Sequence, residues 1–317
     1  MAPTTTPTLD DFQRVAKTVS GIAIKTPMLE SDYLTELSGS KVNFKCENLQ
    51  RVGAFKARGA CNAVFALDDE QIKKGVATHS SGNHGAAVAL AAMIRKAPAH
   101  VVMPSNSSDV KRAAVRHYQA KVWDCAPGMR NREETLARVM EETGAHMVHP
   151  YDDSLVIAGQ GTAALELMDD VGGLDVILVP VGGGGLIGGT LLAAEGFGKG
   201  TRVIGVEPRQ ADDARQSFRR GARVIMDSPD TIADGLRASL GERNFELIHR
   251  YADDIICVEE SEIIAAMRFV WERMKLVIEP SSAVPIAALL HRRLELPGKR
   301  IGLIISGGNV DLDHLPW

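Results

Sequence analysis

Short runs of β-branched and aliphatic residues alternate with longer stretches of helical periodicity along almost the whole chain. The short runs predict strands over 41–46, 75–79, 100–104, 121–125, 146–149, 176–181, 202–206, 254–258 and 301–305. Apolar positions at helical spacing predict helices over 9–19, 84–95, 109–118, 132–143, 158–169, 186–194, 261–275 and 282–292. Strands that alternate with helices of this length belong to parallel sheets covered on both faces. The strands fall into two clusters, with no low-complexity linker and no internal repeat. The pattern therefore predicts an α/β fold of two lobes with mostly parallel sheets. Residues 1–74 and 151–317 form the larger lobe and 75–150 the smaller. Ligands in such folds collect at the carboxyl ends of strands, so the residues just after each strand carry the functional argument.

The run 176–181 ends in Gly182-Gly183-Gly184-Gly185, and Gly183, Gly185 and Gly188 read as G-x-G-x-x-G between a strand and a helix. Glycines let backbone N–H groups approach an anion, and the helix N-terminus adds partial positive charge. Four glycines in a row exceed what helix packing requires, so the loop predicts a bound phosphate without saying which. Glu207 ends the next strand, about where a dinucleotide fold places its ribose-binding acid, so NAD stays open at this point. Residues 176–194 carry no charge, which raises the question of a membrane span. Pro180 and the glycine run make a continuous helix there unfavourable, and a strand, a loop and a helix start fit better.

Three more segments follow predicted strands. In Gly53-Ala54-Phe55-Lys56-Ala57-Arg58-Gly59-Ala60, small and apolar neighbours surround Lys56. Most lysines lie in solvent, but burial would lower this one's pKa, as an imine-forming or basic lysine requires. Ser80-Ser81-Gly82-Asn83-His84-Gly85 crowds four polar side chains into six positions at a helix start. One of them would suffice as a cap; the rest make a seat for a carboxylate. Ser306-Gly307-Gly308-Asn309 is the third.

With the glycine loop, these segments resemble the fold-type II pyridoxal-phosphate (PLP) enzymes, in particular the serine/threonine dehydratase and serine racemase group, hydroxyaspartate dehydratases included. The resemblance runs in order from Lys45-Cys46-Glu47-Asn48 to Asn309 and implies a tryptophan synthase β-like fold, PLP held in the larger lobe, and a homodimer. It assigns Lys56 as the Schiff-base lysine and Cα base, with Ser81 as acid/base on the opposite face. Phe55 packs beside the cofactor ring, Asn83 bonds its hydroxyl, Gly182, Gly183, Gly184 and Gly185 hold its phosphate, and Ser306 faces its nitrogen. Ser80, Ser81, Asn83 and His84 seat the substrate carboxylate. A hydroxyl is too weak an acid to keep the ring nitrogen protonated, which favours prompt loss of a β-leaving group over transamination. The implied reaction is elimination of water and ammonia from a β-hydroxy amino acid, with racemisation on the same scaffold as the alternative.

Glu207, the carbonyl of Ala211, and Asp213 resemble the Mg²⁺ site of the racemase-like members, which also takes Ca²⁺ or Mn²⁺; such hard cations prefer oxygen ligands. Arg132 falls where some members carry an arginine near the site, and there it would pair with a second substrate carboxylate. That pairing favours 3-hydroxyaspartate over serine or threonine; the other reading is an exposed arginine among Glu133 and Glu134. Gln119 stands where glycine is commoner in the family, which questions the geometry of that loop. An NAD oxidoreductase explains only the glycine loop, and a PLP-dependent β-replacement synthase would share the fold.

Composition removes other classes. A net charge of −4, with basic residues in pairs and not in runs, gives no electrostatic case for nucleic acid or an anionic membrane. Cys46, Cys61, Cys125 and Cys257 have neither disulfide-framework nor zinc spacing. Free thiols and a polar first segment without an apolar leader set the expectation of a cytoplasmic enzyme acting on a small amino acid. The chain's end at Trp317 sets the expectation of no C-terminal regulatory domain.

Overall fold

Ten strands build two sheets in the computed structural model, which describes residues 9–80, 82–107 and 109–317. In chain order the strands are β1 (Met28–Glu30), β2 (Lys41–Cys46), β3 (Val76–His79), β4 (Ala99–Pro104), β5 (Lys121–Cys125), β6 (His146–Met147), β7 (Val176–Pro180), β8 (Arg202–Pro208), β9 (Asp254–Val258) and β10 (Arg300–Ile305). The larger sheet has the order β1-β2-β10-β7-β8-β9, the smaller β5-β4-β3-β6. Every pairing is parallel except the edge hairpin of β1 with β2. Helices cover both faces, which is why β7 reads Val-Ile-Leu-Val-Pro and is buried at every position. The mostly parallel α/β architecture is the one the strand–helix alternation predicts.

Where the sequence reading and the structure part, the reason is physical. The helix Lys56–Phe65 shows no helical period because Ala57 to Val64 are all buried, so no polar face marks it. Helix Asp32–Ser38, strand β1 and helix Asp69–Lys74 are too short for a periodic signal, and helices Asp213–Arg220 and Glu242–Tyr251 were also unanticipated. The helix expected over 261–275 is α-helical only to Phe269. It continues as a π-turn, Val270–Met274, and stops at Lys275 with φ +59°. The strand expected over 146–149 ends at Met147; the ring of His149 instead accepts the N–H groups of Tyr151 and Asp152. Gln119 does adopt the glycine-like backbone its loop demands, with φ +62°.

Helix Ser154–Val171 is the spine on which the site is mounted. It packs against both helix Lys56–Phe65 and helix Gly185–Phe197, which follows the glycine loop. At these crossings the backbones touch: a Cβ on Gly159 would lie 2.6 Å from the Cα of Gly59, and one on Gly189 would strike the backbone of Gly161. The lysine and the glycine loop are thereby held to one rigid element. Among the described residues, no helix is long and apolar enough to cross a membrane.

Candidate active site

The residues that follow the strand ends converge. Ala54 bridges Gly307, Phe55 N–H donates to the Ser306 carbonyl (3.0 Å), and Gly308 N–H donates to that of Gly53 (2.9 Å). This stitching sets Lys56 as the first residue of its helix, beside the loop after β10. Its Nζ donates to the Pro150 carbonyl at 2.6 Å and lies 5.2 Å from the centre of the Phe55 ring. Burial lowers its pKa from 10.5 to about 8, against the opposing pull of Glu279.

Two buried imidazoles, those of His84 and His149, feel the Lys56 charge. His84 is buried, and its Nε2 donates to the Val148 carbonyl at 3.1 Å. Its Nδ1 has no partner among the described residues and remains an acceptor. Burial and then the Lys56 charge hold its pKa well below 6.5. His79 and His149 are pushed down to about 4, chiefly by burial. The rings of His79, His149 and Tyr151 stack edge to face, at 5.9 Å and 4.7 Å between centres.

Asn83 opens helix Asn83–Ile94. Its Nδ2 donates to both Glu279 oxygens at 3.0 Å, and its Oδ1 accepts from Asn309 Nδ2 at 2.9 Å. The Ser80 hydroxyl accepts the Gly82 N–H at 3.2 Å; Ser81 lies outside the described residues. Ser306 is buried with its Oγ 2.9 Å from Ser282 Oγ.

The glycine loop is a strip of bare backbone. A Cβ on Gly183 would enter the Tyr151 ring, and one on Gly182 would lie 2.8 Å from the Cα of Leu236. Gly184, at φ +91°, caps helix Gly185–Phe197, whose first intrahelical bond runs from Gly188 N–H to the Gly184 carbonyl. The preceding N–H groups of that turn have no intrahelical acceptor. A cradle of this kind, next to a lysine with depressed pKa, fits a phosphorylated aldehyde cofactor.

Arg132 stands in the first turn of helix Met129–Thr143 and is half-buried. Among the described residues it has no ion pair, and its buried Nε has no partner. Its neighbour Arg130 is the one that pairs with Glu134, at 2.7 Å. The Arg132 charge faces Cys125 and Tyr151, and it reaches His79. It is thereby within electrostatic reach of both ends of the aromatic stack, of which the Tyr151 ring lies against the Gly183 backbone.

Glu207 is fully buried at the end of β8, where its carboxylate accepts the N–H groups of Ala214 (3.1 Å) and Arg215 (2.8 Å). Asp213 accepts the Leu240 N–H at 2.8 Å. Burial first, and then repulsion between the two, holds the Glu207 carboxyl well above the usual range; burial pushes Asp213 up to about 6. Ala211 ends the short 3₁₀ turn between them. No group of three or more His, Cys, Asp or Glu able to hold a metal occurs among the described residues.

Sequence reasoning missed Glu279. It is buried at the foot of helix Pro280–Leu290, touches Asn83 and bears on Lys56. Its only local signal was an acid placed just before a predicted buried helix.

Residues 19–307 match the family described as pyridoxal-phosphate dependent enzyme, and the chain belongs to that family. It is 48% identical to the beta-hydroxyaspartate dehydratase of Paracoccus denitrificans over 98% of this chain and 99% of that one. It is 44% identical to the L-threo-3-hydroxyaspartate ammonia-lyase of Saccharomyces cerevisiae, over 96% of this chain and 94% of the other. Among solved structures it resembles maize serine racemase, with a TM-score of 0.95 and 42% identity over 98% and 95% of the two chains. The dinucleotide reading of the glycine loop is thereby set aside, and Glu207, turned to Ala214 and Arg215, has a place without a ribose.

Proposed function

We propose that the protein is a PLP-dependent ammonia-lyase that converts 3-hydroxyaspartate to oxaloacetate and ammonia. The single observation that carries the substrate assignment is the half-buried Arg132 guanidinium, which has no carboxylate partner among the described residues. A guanidinium that no carboxylate of the described residues engages suits a planar substrate carboxylate. Serine and threonine have no second carboxylate to fill it.

PLP, bound beside Lys56 with its phosphate on Gly182 to Gly185, would supply the electron sink that makes a Cα proton removable. The chain's own groups do the rest. Lys56, neutral in a useful fraction at pH 7, takes the proton from Cα. Ser80 and the backbone N–H groups of Asn83 and His84 at the helix start receive the α-carboxylate, the Asn83 amide bonds the ring hydroxyl, and Phe55 and Ser306 bound the ring space. Ser81 remains our assignment for the opposite face. Residues 75–150 we take as a smaller domain that carries Asn83, His84 and Arg132 to the PLP-binding larger one. We further infer a cytoplasmic homodimer; four buried free cysteines support the reducing compartment, and the homodimer rests on the family resemblance.

The assay is release of 2-oxo acid from the stereoisomers of 3-hydroxyaspartate, L-serine and L-threonine. Arg132→Ala is expected to lower kcat/KM for 3-hydroxyaspartate by about 100-fold, the value of one buried charge-assisted pair, and to leave serine within about threefold. Serine or threonine dominating in the unaltered enzyme, with Arg132→Ala silent, would overturn the assignment. Change of configuration at Cα without 2-oxo acid would make the protein a racemase.

Glu207, Asp213 and the Ala211 carbonyl fit a Mg²⁺ ion, since among the described residues neither of the two buried carboxylates, both with raised proton affinity, has an ion pair. The place connects to the glycine loop: Asp213 holds Leu240, and the next residue, Gly241, donates its N–H to the Gly183 carbonyl at 3.1 Å. Mg²⁺ at 100 times its Kd is expected to stabilise the fold by about 2.7 kcal/mol and to tighten PLP binding. Thermal melts with Mg²⁺ or EDTA check this, and Glu207→Gln should remove the difference.

A further inference from the structure

Glu279 belongs to the larger sheet's side of the cleft by its backbone, since its N–H donates to the Gly307 carbonyl at 3.1 Å. Its side chain crosses to Asn83, at the start of a helix packed on the smaller sheet. The hydrogen bonds around Asn83 have a fixed polarity. The Val52 carbonyl can only accept, so the amide of Asn309 turns its Nδ2 there, at 2.7 Å, and gives its other hydrogen to Asn83 Oδ1 at 2.9 Å. An ionised Glu279 can likewise only accept, and both its oxygens lie 3.0 Å from Asn83 Nδ2. The two oxygens of one carboxylate are close enough to share a single hydrogen of that nitrogen, and among the described residues Asn83 Nδ2 has no other acceptor, so its second hydrogen is available.

We propose that Glu279 is a positioning residue that locks the Asn83 amide, so that the free N–H of Asn83, and never its carbonyl oxygen, is presented to an anionic oxygen of the bound ligand. This rests on the PLP reading above, in which that oxygen belongs to the cofactor ring. Charge state makes the lock responsive to pH. Burial, and then Asp234, push the Glu279 carboxyl up to about 7, while Asn83 and Lys111 oppose the rise. The charged groups facing it are Asp234 from the turn 234–236, Lys111 from helix Asp109–His117, and Lys56 from helix Lys56–Phe65. Lys111 and Asp234 are themselves ion-paired. Protonation gives Glu279 an O–H that competes with the Asn83 N–H for the same space, so the lock is half-formed near pH 7, nears completion about one pH unit above and loosens below.

The test uses PLP-loaded enzyme and follows the visible absorption band from pH 6 to 9, with kcat and KM measured alongside. Glu279→Gln, close to isosteric, is expected to shift the band in the same direction as Asn83→Ala and to abolish the transition near pH 7. It should also lower kcat about 10-fold, as loss of an outer hydrogen-bond partner commonly does, with KM for the amino acid changed less. In an Asn83→Ala background it should add nothing. Asn309→Ala, which releases the amide from its other end, should shift the band likewise and guards against misfolding of the first variant. A Glu279→Gln enzyme with the spectrum and pH profile of the unaltered one, while Asn83→Ala differs, overturns the proposal; so does an effect that persists in full without Asn83. Absence of any visible band in the unaltered protein with PLP would instead sink the cofactor reading itself.

Discussion

Lys56→Ala is expected to remove the visible absorbance of the PLP-loaded protein and to lower kcat/KM for 2-oxo acid release by at least about 1,000-fold, the scale of a lost general base. Two functions disappear together, the covalent hold on the cofactor and the proton transfer at Cα, so added alkylamine should recover only part of the rate. The thermal transition should survive, because among the described residues the lost side chain makes one hydrogen bond, to the Pro150 carbonyl, and no ion pair. The same lysine carries a pH signature. Only a neutral amine attacks an aldehyde. With its pKa lowered by burial to about 8, about one Lys56 in ten is neutral at pH 7, against about one in 3,000 for an ordinary lysine. PLP uptake by the cofactor-free enzyme should therefore accelerate with pH up to about 8 and then level off. A rate that keeps climbing to pH 10 in stopped-flow measurements would show that burial does not perturb the amine.

How much of this site can be read from the chain depends on whether its physics is local. The glycine loop is readable because bare backbone at a helix start needs no distant partner to mean anion binding, and Lys56 stands out through its small neighbours. The helix that carries Lys56 is not readable: burial on every side erases the polar stripe that would reveal it. Glu279 is invisible for another reason. Its meaning comes from Asn83, 196 residues away, and no spacing rule reaches that far. Arg132 is intermediate. Its position suggested a substrate contact or an exposed pairing with its acidic neighbours, and the structure shows that Arg130 makes such a pair while Arg132 has no ion pair among the described residues and leaves its buried Nε without a partner. The split of helix 261–275 into α and π segments could not have been anticipated either, since a π segment of five residues is too short to leave a period of its own in the apolar pattern.

Arg58→Ala is expected to cost the fold about 3–5 kcal/mol, the penalty for breaking a buried ion pair from one side. Two residues beyond Lys56, the fully buried Arg58 uses both edges of its guanidinium. It meets Glu47 at 2.7 and 2.8 Å, Glu166 at 2.7 and 2.8 Å, and the Thr162 hydroxyl at 3.2 Å. Lys45, equally buried, adds an ion pair to Glu166 at 2.6 Å and a bond to the Thr26 carbonyl at 2.8 Å. Two cations and two carboxylates thus balance, and they tie β2, the lysine helix and the spine helix 154–171 together. Removing Arg58 leaves Glu47, fully buried, with Thr26 and Gln50 as its remaining side-chain donors among the described residues. Lysine is a poor substitute, because one ammonium cannot serve two carboxylates in the planar fork that Arg58 uses. Glu47→Gln should recover part of the loss in the Arg58→Ala background, since the uncompensated charge then disappears. The network also predicts an acid limit. Burial alone would raise the Glu166 carboxyl, but its bonds to Arg58 and Lys45 outweigh that and hold it below 4.5. Its contribution is therefore complete above pH 4.5 and lost as pH falls through the lowered value. Urea melts of the unaltered protein, Arg58→Ala and Arg58→Lys between pH 4 and 8 measure both effects. Equal stability of the three proteins at pH 7 would show that the cluster does not hold the lysine helix in place.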